Sequence, residues 1–199
     1  HIILSLLLDK EIILLDSDFT DSELINLVGR SNFNSFKEPI NKDKFLLLNN
    51  YDDLIKRLRS LPKNWKITLF TSGTTGIPKK ISHDFKKITR FVKVSSQNNK
   101  NIWGYAYNPT HMAGVQVFFQ AILNGNLIIR LFGLPPEDIF NEIRNEKITH
   151  ISATPTFYRL LLPCTGKYES IKRITSGGEK FNKNTFDQLS KIFSKAKIR

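Results

Sequence analysis

The chain has 199 residues, 40% apolar and 24% charged, which suits a folded protein of about one domain with a real core. Its 30 Lys and Arg against 18 Asp and Glu give a net charge of +12, yet the lysines are scattered, so solvated helix faces explain them better than a nucleic-acid surface does. A single cysteine, Cys164, excludes an intrachain disulfide and points to a reducing, cytoplasmic compartment.

Taken in order, Ile2 to Leu8 is apolar but too short to span a bilayer, and Asp9-Lys10-Glu11 follows at once. It reads as a buried helix or strand rather than a signal peptide. Ile12 to Leu15 is a strand candidate. Thr20 or Asp21 can cap a short helix carrying Leu24, Ile25 and Val28, closed by Gly29. Asn32 to Lys44 is polar and loop-like, and Phe45 to Leu48 is a second strand. Asn50 caps Tyr51 to Arg59, with Leu54, Ile55 and Leu58 on one face, and Leu61-Pro62 stops it.

Trp65 to Phe70 is rich in aromatic and β-branched residues and predicts a strand. Asp84 to Ser96 predicts a helix, started near His83, with Phe85, Ile88, Phe91 and Val92 on its apolar side. Ile102 to Ala106 is a strand and Tyr107 to His111 a loop. Met112 to Leu123 is a largely buried helix ended by Gly125. Leu127 to Leu131 is a strand. Pro135-Pro136-Glu137-Asp138 opens a helix in the favoured order, proline and acids first, with Ile139, Phe140 and Ile143 inward. Ile148 to Ser152 is a strand, Thr154 to Leu162 a helix, and Ile171 to Thr175 a strand. A helix near Asn182 to Ser194 carries Phe186, Leu189 and Phe193 on one side.

The fold class is therefore α/β, with a mostly parallel sheet flanked by helices. In such sheets ligands sit outside the carboxyl ends of the strands. The loops at 107–111, 152–155 and 176–179 each follow a strand and are expected to share one edge.

Between the strand at 65–70 and the expected helix lies Thr71-Ser72-Gly73-Thr74-Thr75-Gly76-Ile77-Pro78-Lys79. Glycines let a backbone approach phosphate oxygens, hydroxyls and N–H groups donate to them, and Lys79 adds a full positive charge. The spacing is neither Gly-x-x-x-x-Gly-Lys-Ser/Thr nor Gly-x-Gly-x-x-Gly. It resembles the phosphate loop of the adenylate-forming superfamily, the acyl-CoA synthetases and their relatives, at every position from Thr71 to Lys79.

Three further segments carry the resemblance. Pro109 to Gly114 looks like the histidine-containing turn of the acyl pocket, Thr149 to Pro155 like a signature strand and turn, and Ile174 to Glu179 like the Ser-Gly-Gly-Glu turn that meets adenine. The match covers about residues 65 to 199. It implies ATP-dependent activation of a carboxylic acid to an acyl-adenylate, with release of pyrophosphate and transfer to a thiol, coenzyme A or that of a carrier protein. It implies that Thr71, Ser72, Gly73, Thr74, Thr75, Gly76 and Lys79 hold the phosphates, with Mg²⁺ screening them. Ser176, Gly177, Gly178 and Glu179 would meet the purine, and His111 would flank the acid.

No metal-ligating cluster with transition-metal spacing is visible, and His150 reads as a satisfied core residue. Both ends look like cuts, so residues 1–199 are expected to be a truncated N-terminal adenylation domain, inactive alone. A non-catalytic nucleotide-binding relative and a basic nucleic-acid module are the competing readings.

Overall fold

The computed structural model describes residues 1–29, 50–60, 64–71, 78–177 and 182–199. The expected loop at 32–44, the strand at 45–48, the stop at Leu61-Pro62, the residues Ser72 to Ile77, and Gly178 with Glu179 lie outside them. The chain divides into two compact units, His1–Arg90 and Phe91–Arg199. No shift in composition marks the division. Among the described residues, no helix is long and apolar enough to cross a membrane.

In the first unit, α1 spans Ile2–Leu7 and β1 spans Ile12–Ile13. α2 is Asp21–Val28, α3 Tyr51–Ser60, β2 Lys66–Thr71, β3 Lys79–Asp84 and α4 Phe85–Thr89. β2 is the middle strand, parallel to β1 and antiparallel to β3. A strand paired on both sides has no solvated edge, and Ile67 to Phe70 are all buried. Trp65 anchors the start of β2. Its indole N–H donates to Ser5 Oγ at 3.1 Å, and its ring meets Phe85 edge-on at 6.3 Å. α2 begins as its sequence predicts. Thr20 and Glu23 form a reciprocal capping box, and Gly29 closes the helix at φ 78°. Asn50 Oδ1 accepts from Asp53 N at 3.0 Å, capping α3, which buries Ile55 and Leu58.

Two expectations fail here. The helix foreseen from Asp84 to Ser96 is only Phe85–Thr89, capped by Asp84 Oδ1, which accepts from Lys87 N at 2.7 Å. Phe85 and Ile88 are buried as expected, but Phe91 lies 68% exposed beyond the helix end. Residues 79–84, His83 included, form a strand instead. Lys-Lys-Ile-Ser-His-Asp has no apolar alternation because β3 pairs only with β2 among the described strands and is wet on most of its surface. Charged residues suit such an edge. Its hydrogen bonds to β2 hold it, and side-chain patterning cannot report those.

In the second unit a turn of 3-10 helix at Ser96–Asn98 precedes β4 (Ile102–Tyr105). Then come α5 (Met112–Ile122), β5 (Leu127–Arg130), α6 (Pro136–Asn145), β6 (His150–Ala153), α7 (Pro155–Leu160), β7 (Arg173–Ser176), α8 (Lys183–Ile192) and β8 (Lys197–Ile198). The sheet order is β5-β4-β6-β7-β8, every neighbour parallel.

The core of this unit joins Ile151 and Ile174 of the sheet to Ile139 and Ile143 of α6, Tyr158 of α7, Leu189 of α8 and Phe193 at its C-terminal cap. The Tyr158 hydroxyl donates to the carbonyls of Ile151 and Thr175, at 3.0 Å each, across adjacent strands. Phe186, expected inward, is 43% exposed, so α8 packs through Leu189, Ile192 and Phe193. At Gly104 an added Cβ would stand 2.5 Å from Leu131 Cδ1, which is why β4 carries glycine there.

Candidate functional site

Strand order fixes where the second unit can hold a ligand. The chain leaves β4 for β5 on one side, then returns past β4 to β6 on the other. β4 and β6 are thus hydrogen-bonded neighbours whose outgoing connections diverge. Such a switch point opens a crevice beyond the carboxyl ends of the two strands. The three marked segments leave that same edge, as their positions after strands predict. Residues 106–111 follow β4, Thr154-Pro155 follow β6, and Gly177 follows β7.

The 106–111 connection is braced from within. Asn108 Oδ1 accepts from Thr110 N at 2.9 Å and from Thr110 Oγ1 at 2.7 Å. His111 N donates to Asn108 O at 3.2 Å, and His111 O accepts from Val115 N at 3.0 Å. His111 is thus the N-cap residue of α5, but its imidazole makes no capping bond and is exposed. At Gly114 a Cβ would lie 2.2 Å from the Asn108 carbonyl oxygen, so helix and turn meet where only glycine fits. After β6, Thr154 Oγ1 accepts from Phe157 N at 3.2 Å and Pro155 sits in the first turn of α7, a favoured start.

Ser176 and Gly177 stand where β7 ends. Ser176 pairs with Ala153, and Gly177 N donates to Ala153 O at 3.1 Å. Tyr107, buried at 9% exposure, brings its hydroxyl against Gly177, where an added Cβ would stand 2.4 Å from it. Burial pushes its pKa up. Tyr107 is a residue that sequence patterning does not single out. Nothing in a tyrosine after a strand tells which backbone its hydroxyl will reach.

His150 sits at the opposite end of β6, away from this edge. Its Nδ1 is 2.8 Å from Thr149 Oγ1 and its ring stacks obliquely on Trp103 at 5.1 Å. Burial, and the nearby Arg173 and Lys172, lower its pKa to about 4. It is half-buried and hydrogen-bonded at the rim of the sheet rather than in the core cluster that its apolar strand suggests.

In the first unit, Thr71 and Lys79 are cross-strand partners in the β2–β3 register, and both are exposed. They close the mouth of the connection 72–78. The expected strand–loop–helix is therefore a strand–loop–strand hairpin, and Lys79 begins β3 rather than preceding a helix. Ser72, Gly73, Thr74, Thr75 and Gly76 lie outside the described residues. Among the described residues no group of three His, Cys, Asp or Glu side chains comes together.

The family described as AMP-binding enzyme matches residues 14–199. The chain belongs to the AMP-binding enzyme family. Among curated relatives, it is 32% identical to the 2-succinylbenzoate–CoA ligase of Bacillus subtilis over 116 residues, 55% of this chain and 24% of that one. It is 29% identical over 165 residues to a putative long chain fatty acid-CoA ligase, VraA, of Staphylococcus epidermidis, covering 79% of this chain and 35% of that one. The chain thus spans no more than about two fifths of the length of the curated relatives it matches.

Among solved structures, the O-succinylbenzoate coenzyme A synthetase MenE of Bacillus subtilis, in complex with ATP and magnesium ion, aligns with a TM-score of 0.66. That alignment has 18% identity over 94% of this chain and 43% of that one. The same enzyme in complex with AMP aligns with a TM-score of 0.64 and 21% identity over 95% of this chain and 54% of that one. At these identities the structural likeness establishes the fold.

Proposed function

We propose that this AMP-binding chain forms the ATP- and acid-binding part of an AMP-forming acid–thiol ligase. A carboxylate oxygen attacks the α-phosphorus of ATP and the bond to pyrophosphate breaks. The thiol sulfur then attacks the acyl carbon and AMP leaves. Coenzyme A is the favoured thiol, in keeping with the CoA ligases among the relatives.

The observation that carries this reading is the intact Thr71–Lys79 string in a chain of this family, closed at its mouth by paired Thr71 and Lys79. The chemical obstacle is that an anion must approach a polyanion. Charge neutralisation and positioning supply most of the catalysis in such transfers. Lys79 would neutralise the phosphate tail, with Ser72, Gly73, Thr74, Thr75 and Gly76 donating to it beside Thr71. Ser176, Gly177, Gly178 and Glu179 would form the purine turn. His111, exposed at the head of α5, would orient the acid carboxylate. Among the described residues no three His, Cys, Asp or Glu side chains gather that could hold the Mg²⁺ implied by the family resemblance. The domain assignment, residues 1–199 as the adenylation portion of an N-terminal domain, belongs to the same proposal.

ATP titration by calorimetry tests it. Lys79→Ala and the pair Gly73→Val and Gly76→Val should each weaken ATP binding, by about 10-fold or more for loss of a charge-assisted contact. Unchanged affinity in all of them would refute the assignment.

A further inference from the structure

Asn124-Gly125 is the one Asn-Gly pair in the sequence. This dipeptide is chemically labile, because glycine has no side chain to keep its backbone nitrogen away from the asparagine amide carbon. The fold withholds both reactants. Gly125 N donates to Ile122 O at 3.0 Å. Asn124, 2% exposed, donates through Nδ2 to Gln120 O at 2.9 Å and to Lys93 O at 3.1 Å. Its Oδ1 accepts from Ser95 N at 3.1 Å.

These bonds hold more than one side chain. They latch residues 93–98, a strap that leads towards β4, onto the end of α5. Gln120 Oε1 accepts from Lys93 N at 3.2 Å, and Gln120 Nε2 donates to Lys93 O at 3.4 Å. Asn126 donates through Nδ2 to Asn98 O at 2.6 Å and accepts at Oδ1 from Trp103 Nε1 at 3.1 Å. Asn124 stands at the centre, because both its donor hydrogens face carbonyl oxygens, one on the strap and one on α5.

We propose that Asn124 is a deamidation site guarded by this strap, and that its conversion to aspartate leaves residues 93–98 unlatched. When the strap opens, Gly125 N gives up its proton and bonds to Asn124 Cγ. The Cγ–Nδ2 bond breaks, and Nδ2 takes a proton and leaves as ammonia. Water then opens the cyclic imide, at one C–N bond to give aspartate and at the other to give isoaspartate. One water enters, one ammonia departs, and no oxidant is needed. Aspartate cannot restore the latch. Its carboxylate has no hydrogen to donate, and it would face the Lys93 and Gln120 carbonyl oxygens that Nδ2 serves in the parent. The single N–H of Ser95 does not compensate a buried charge. Opening therefore exposes the amide, and reaction holds the strap open. The inference stands apart from the ligase reading and uses none of its residues.

The test follows the full chain in mildly alkaline buffer. Peptide mapping by mass spectrometry reads aspartate and isoaspartate at position 124, and trypsin reads the strap by cleavage after Lys93. Ammonia loss at Asn124 should be at least about 10-fold slower in the folded chain than in urea, since reaction must await opening. Gln120→Ala removes two bonds to Lys93 and should speed the loss in the folded chain by about 10-fold, the scale of one to two hydrogen bonds. Asn124→Asp should be cut after Lys93 about 10-fold faster than the parent, on the same scale.

Equal rates in the folded and unfolded chain, or a Gln120→Ala chain that loses ammonia no faster than the parent, would overturn the guard. An Asn124→Asp chain that resists trypsin as the parent does would overturn the latch. Should that variant fail to fold, the aged parent decides. Its deamidated fraction, separated by ion exchange, must be cut after Lys93 faster than the unmodified fraction, and equal cutting overturns the latch.

Discussion

His150 shows how one side chain ties the sheet to pH. Burial and the neighbouring Arg173 and Lys172 hold its pKa near 4, against 6.5 in an unperturbed chain. Between those values the unfolded chain binds more protons than the folded one, so stability rises with pH. The contribution is fully present above about 6.5 and is lost as pH falls towards 4. The ring is partly exposed, which discounts the effect to about 1 kcal/mol. Denaturant melts at several pH values should show this slope, and His150→Gln should flatten it. An unchanged slope would remove His150 as the cause. The local pattern predicts a core histidine here, but not its charge environment. Arg173 is brought beside His150 by the β6–β7 register, 23 positions along the chain.

At the scale of elements, the β4–α5 corner is where backbone geometry is least forgiving. Alanine is the better helix former than glycine by about 1 kcal/mol. At 114, however, its methyl would press 2.2 Å from the Asn108 carbonyl oxygen, a backbone atom that cannot rotate away. The clash should win, with Gly114→Ala costing about 1–3 kcal/mol, as overpacking does. A lowered denaturant midpoint would be the expected result, and an unchanged or raised one would contradict it. The starts of α2, α3, α6, α7 and α8 are legible because each is written locally. Thr20, Asn50, Thr154 and Asn182 supply side-chain caps, and Pro135-Pro136 open α6. β3 is illegible because its partners are hydrogen-bonding groups on β2, which every residue carries alike.

Over the whole molecule, the second unit carries a hydrophobic cluster that joins residues from Ile102 to Ile198. We therefore expect residues 91–199, expressed alone, to unfold cooperatively on heating and to keep near-ultraviolet dichroism from Trp103 and the buried tyrosines. A broad, featureless transition would show that this core depends on the first unit. Strand–helix alternation from residue 102 onward announces such a unit, because short apolar strands joined by helices can bury both faces only as a parallel sheet.

The sequence by itself determined the elements written in local chemistry: caps, proline starts, apolar strands and the nine-residue string from Thr71 to Lys79. It also determined that the three marked segments follow strands, and therefore share an edge. Tertiary structure alone decided that Lys79 pairs with Thr71 across a hairpin, that β4 and β6 flank the switch point, and that Tyr107 lies against Gly177. Those are contacts between residues distant in sequence, set by strand order and register, and no periodicity along one segment encodes which distant backbone it will meet.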